Sequence, residues 1–200
     1  TFDGVAYTHT TGLIQPGAAY GVYATAITAL LPVDSLTLNK RFGSAVITAS
    51  EPIIAIVNED NRGNPADNNG VPVPVERIGQ GTTYNAFLDG VQTGKVFFAQ
   101  IVKNASVFSG GFQVANTTAT AGSCTATFNS VSPVVTYTFA LPANGSASVY
   151  APNVPGLPYT YNGSVTVVCN VNVVGISNLA AAPGTGGLGD SFTQSNGLNR

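Results

Sequence analysis

The sequence predicts an all-β protein of two tandem β-sandwich modules, the first lacking its N-terminal strands. Three observations carry this. Short runs rich in Val, Ile, Thr, Tyr and Phe alternate apolar with polar residues between clusters of Gly, Pro and Asn, and almost nothing has helical periodicity. The chain is also self-similar: 14–24 (IQPGAAYGVYA) aligns with 141–151 (LPANGSASVYA), 43–58 (GSAVITASEPIIAIVN) aligns without a gap with 163–178 (GSVTVVCNVNVVGISN), and 84–87 aligns with 195–198. Segments recurring in the same order mark a repeated structural unit. Finally, Thr1–Val5 (TFDGV) matches Thr127–Val131 (TFNSV), so the first copy starts partway through the repeat and has no counterpart of 96–126.

The first module, 1–92, has candidate strands at 4–9, 19–26, 43–50, 52–58 and 82–88, with an insertion rich in Asn, Pro and Gly at 59–81. Gly90–Lys95 (GVQTGK) reads as a linker. The second module, 96–200, has candidate strands at 95–103, 110–116, 122–128, 133–140, 146–151, 162–169, 171–178 and 190–195. Eight short strands with regular turn signals match a complete sandwich, whereas the first module has only five.

Composition narrows the function classes. At 44% hydrophobic residues, both modules can build cores, but charged residues are only 8% of the chain, against roughly 25% in soluble proteins. The second module carries only Lys103, Asp190 and Arg200. Such a surface has little charge repulsion to keep a free monomer dispersed, so packing against neighbours, a hydroxyl-rich surface or glycans must compensate. A net charge of −2 without a basic cluster excludes nucleic acid as a partner. No apolar run approaches the roughly 20 residues of a membrane-spanning helix, so no membrane insertion is expected. Without an initiator Met or a signal-peptide pattern, Thr1 reads as a processed or trimmed start.

Cys124 and Cys169 lie in strand-like segments of the second module. An even cysteine count in a charge-poor, Thr- and Asn-rich chain predicts a Cys124–Cys169 disulfide and an extracellular or cell-surface location. In the first module Ala49 stands where Cys169 would be, and the strand matching Cys124 lies ahead of Thr1. Strand 43–50 therefore borders the place where strands are missing. Its Ala45, Ile47 and Ala49, with Ile54 and Ile56 of the next strand, form a candidate assembly groove.

Four sequons, at Asn104, Asn116, Asn144 and Asn162, all fall in the charge-poor module and are candidate glycosylation sites; Asn144 and Asn162 sit at predicted turns. Other motifs carry little chemistry. Residues 59–70 cluster oxygen ligands, but the spacing matches no EF-hand and Arg62 intrudes, so no metal is assigned. GTGGLGD (184–190) lacks the Lys-Ser/Thr ending of a phosphate loop. His9, the one histidine, lies in an ordinary strand-to-turn stretch with no triad spacing. Lys95 and Lys103 are candidates for a Lys–Asn isopeptide crosslink, but no motif around them supports one. Tyr20, Tyr23, Tyr150, Tyr159 and Tyr161 are read as packing residues rather than a sugar platform. No catalytic residue and no cofactor is assigned, and no enzyme is expected.

FQVAN (112–116) and VYAP (149–152), with GSAVITAS-x-PIIAIVNE (43–59) and TYNAF (83–87), make the module similar to immunoglobulin-like tandem repeats of bacterial cell-surface and extracellular proteins. The chain also resembles extracellular filament subunits that complete one another's sandwiches. The resemblance implies immunoglobulin-like sandwiches with a structural or adhesive role. An exposed apolar strand edge needs a partner: either another copy donates a strand, which propagates head to tail and is the favoured expectation, or the sequence is a cut segment of a longer tandem array whose front end lies elsewhere. The expected function is a structural subunit of an extracellular filament, with itself as partner in a homopolymer. The alternative is a surface adhesin or carbohydrate-binding module that does not polymerise, with glycans as bound partners.

Overall fold

A computed structural model describes residues 8–22, 44–61, 80–181 and 192–200. The described chain is all-β and every named strand pair is antiparallel. β1 (Ile56–Asn61) and β2 (Gln80–Asn85) form a hairpin whose sheet is separate from that of a sandwich-like unit. That unit consists of β3 (Thr93–Lys103), β4 (Phe108–Asn116), β5 (Gly122–Phe128), β6 (Val135–Leu141), β7 (Ser146–Tyr150), β8 (Tyr161–Ala181), β9 (Phe192–Asn196) and β10 (Leu198–Asn199).

The long strand β8 organises the unit. Its first half pairs with β3 on one edge and β5 on the other, giving the order β6–β5–β8–β3–β10. Its second half pairs with β4 and β9, giving β7–β4–β8–β9. Where β8 passes from one layer to the other, its register on β3 jumps from Lys95↔Val168 to Thr93↔Val173. Side chains and loops take over there: Asn170 Oδ1 accepts from Ser123 N at 2.8 Å, and Asn172 O accepts from Thr117 N at 3.1 Å. The sequence reading placed two strands here, 162–169 and 171–178. The structure corrects this to one, because the asparagines bridge a crossing rather than make a turn.

The return crossing lies at Gly197, between β9 and β10. A Cβ there would collide with Val96 Cγ1 and lie 2.8 Å from Phe98 Cε1, so only glycine lets the chain pass over the core. The core fills by period-2 alternation: in β5, Cys124, Ala126 and Phe128 are buried and the residues between them are not. Phe112 of β4 lies at the centre, 5.0 Å from Phe98 and 6.5 Å from Phe128, ring centre to ring centre, and so joins the two layers.

The Cys124–Cys169 disulfide is present, bridging directly opposed residues of β5 and β8. β3 begins at Thr93, so the expected linker is shorter than Gly90–Lys95. Residues 44–50, expected as a strand, have no strand pairing, and neither do residues 8–9 and 19–22 of the strands expected at 4–9 and 19–26. A strand is defined by its ladder, and these residues have no backbone partner strand among the described ones. The rest of those two strands, most of the 59–81 insertion and the 184–190 glycine run lie outside the described residues.

Candidate assembly surface

The hairpin and the sandwich-like unit share one pattern. Under the sequence alignment, the β1–β2 pairs Ile56↔Asn85, Val57↔Tyr84 and Asn58↔Thr83 fall on the β8–β9 pairs Ile176↔Asn196, Ser177↔Ser195 and Asn178↔Gln194. The bond beyond the ladder coincides too: Ala86 N donates to Ala55 O at 3.1 Å, as Gly197 N donates to Gly175 O at 2.7 Å. The surroundings differ. The other edge of β8 is occupied by β4, whereas the other edge of β1 has no ladder partner among the described residues.

The residues leading into β1 show the same contrast. Ala45, Ile47, Ala49, Ile53 and Ile56 align with Val165, Val167, Cys169, Val173 and Ile176, all buried against β3, β4 and β5. In the first copy all five are exposed; Ile47 is 61% exposed, its counterpart Val167 0%. Among the described residues, every buried hydrophobic side chain lies at position 96 or later. Of the five groove residues, Ala45, Ile47, Ala49 and Ile56 thus match core positions. Ile54, 92% exposed, matches the half-buried Val174. The residue missed was Ile53. Its signal was its odd-numbered phase with 45, 47 and 49, hidden by Pro52, which reads as a strand break.

The hairpin leans on the outer edge of β9 through side chains. Gln194 N donates to Thr82 Oγ1 at 3.1 Å, Gln194 Nε2 to Glu59 Oε2 at 2.8 Å, and Asn196 Nδ2 to Asn85 O at 2.9 Å. Burial here, and secondarily the Glu59 carboxylate, raise the pKa of the Tyr84 phenol. Beside this contact a cavity of about 70 Å³, lined by Gln100, Ser177, Gln194 and Ser195, has room for a few waters and no more.

The sequons separate by geometry. Asn144 and Asn162 are exposed, Asn144 in a turn and Asn162 in β8 rather than at the expected turn; Gln100 Nε2 donates to Asn162 Oδ1 at 3.1 Å. Asn104 is half-buried and donates to Tyr159 O. Asn116 is a correction: it is buried, and its amide nitrogen donates to both Thr120 O (2.8 Å) and Pro142 O (2.9 Å), leaving no place for a sugar.

The remaining candidates acquire no chemistry. His9 is exposed, and buried Lys103 donates from Nζ to the Leu157 carbonyl at 3.0 Å. Among the described residues, no cluster of His, Cys, Asp and Glu could hold a metal ion, and no helix is long and apolar enough to cross a membrane.

No family model matches the chain, and no curated protein does. Among solved structures, 56% of the chain aligns with 97% of the crystal structure of Thermotoga maritima 1070, at 18% identity and a TM-score of 0.47. A likeness at that level carries no argument about function.

Proposed function

We propose that the chain is a structural subunit of an extracellular or cell-surface filament made of immunoglobulin-like modules. A strand from a neighbouring subunit covers the open face of residues 45–56. One observation carries the reading: an alternation that is buried in one copy of the repeat is exposed to solvent in the other. Covering Ile47, Ile53 and Ile56 contributes on the order of 5 kcal/mol before ordering costs. Sheet addition at the open edge of β1 would add backbone hydrogen bonds. The scarcity of charge suits a packed polymer, and the disulfide suits an oxidising, extracellular setting. The exposure of Asn144 and Asn162 supports glycans at these two sequons.

Electron microscopy of the native material tests this. Fibres, with β-density from a neighbouring subunit entering the 45–56 face, are the expected result. Isolated particles with that face covered by the subunit's own chain would overturn the reading and leave the non-polymerising adhesin in its place.

A further inference from the structure

The geometry points to the outer edge of β6, which no described strand occupies, as the surface on which residues 45–49 of a second copy dock. This inference rests on the filament reading and names the other half of its contact. Among the described residues, β6 pairs with β5 alone and closes one side of its layer. It is seven residues of Val, Thr, Tyr, Phe, Ala and Leu without charge, proline or glycine, so it has none of the usual devices that protect a strand edge. The neighbouring edge strand β7 is shorter, and three of its five residues are Ser or Ala.

The ladder shows which groups β6 offers. Cys124 and Cys169 face each other across β5 and β8 with Cα atoms 4.1 Å apart, the short spacing of a pair that exchanges no backbone hydrogen bonds. The N–H and C=O of Cys124 therefore point at its other partner, Phe139. By alternation, Thr136, Thr138 and Ala140 direct theirs away from β5, toward the open edge. On the inner face Val135, Tyr137 and Phe139 are only half-buried: they pack on the core with β5 on one side and no described strand on the other. Residues 45–49 (AVITA) are also uncharged, and they alternate small Ala45 and Ala49 around Ile47 on one face, which fits beside the large Tyr137 and Phe139. Since the two surfaces differ and lie in different parts of the chain, the contact is heterologous and propagates head to tail.

Thr138→Pro removes one outward N–H without breaking the β5 ladder, and Thr138→Lys adds a charge to the edge at an exposed side chain. Filament mass by sedimentation, thermal unfolding and amide exchange are measured on the full chain. The wild type is expected to polymerise, with exchange at Thr136, Thr138 and Ala140 slowing as concentration rises. Both variants are expected to lose at least tenfold in polymer while unfolding within a few degrees of wild type. Polymer at wild-type level from Thr138→Lys overturns the β6 surface alone and leaves the filament reading standing, as does protection of these amides that is independent of concentration. A wild type that never polymerises overturns both.

Discussion

The side chain of Asn116 makes four hydrogen bonds from an almost solvent-free position. Its amide nitrogen donates to Thr120 O and Pro142 O, and its Oδ1 accepts from Thr118 N at 2.9 Å and Thr118 Oγ1 at 2.8 Å. It ties the end of β4 to the β6–β7 turn. Asn116→Ala strands several buried polar groups, so equilibrium urea unfolding should show a loss of about 2–4 kcal/mol. Peptide mapping of native material should find this sequon unmodified. Tyr161 is a second polar group inside the unit. Its hydroxyl lies 2.8 Å from both Asn129 O and Ser164 O, donating to either, and burial pushes its pKa up to about 12. The folded state thus holds the proton more tightly than the unfolded chain, whose tyrosine titrates near 10. Its contribution is complete below pH 10 and is lost as pH rises from 10 to about 12. Tyr161→Phe should flatten that part of a stability-versus-pH curve; an unchanged slope would show that Tyr161 is not the titrating group.

At the scale of elements, the disulfide clips the second strand of one layer to β8 and closes a loop of sequence separation 45. Restricting the unfolded chain over such a loop stabilises by about 4 kcal/mol in the chain-entropy model. Reduction should therefore lower the unfolding midpoint of the β3–β10 unit and leave the spectroscopic signals of Tyr84 in β2 unchanged; free thiols in the native protein would remove the idea. The pairing was legible because Cys124 and Cys169 sit in strands with clear period-2 alternation, which also located β5 and β7 closely. The unity of β8 was not legible. Asn170 and Asn172 look like turn residues, yet they bond to β5 and to the residue after β4, at a point where the strand changes layers. β10 escaped notice because it is two residues long and exists only through its pairing with β3 after Gly197.

For the whole molecule, the proposed filament turns on whether a neighbouring subunit covers residues 45–56. The repeat in the sequence located this surface, because it pairs Ala49 with Cys169 and Ile47 with Val167; only exposure shows that the same residues have two fates. The β6 edge proposed as its partner was not legible, since which strand ends a layer depends on how distant strands order themselves. Ile47→Asp tests the surface directly. In the isolated chain Ile47 is exposed, so the substitution leaves the β3–β10 core intact and its unfolding midpoint unchanged. In the assembled state it would place a carboxylate in an apolar contact, at a cost on the order of 4 kcal/mol or more, about a thousandfold in subunit affinity. Val46→Asp is the control: its counterpart Thr166 lies on the opposite, half-exposed face of β8, so this variant should still polymerise. Loss of fibres in the first variant and their retention in the second would confine the contact to the face of 45, 47 and 49. Normal fibres from Ile47→Asp would mean that subunits join elsewhere.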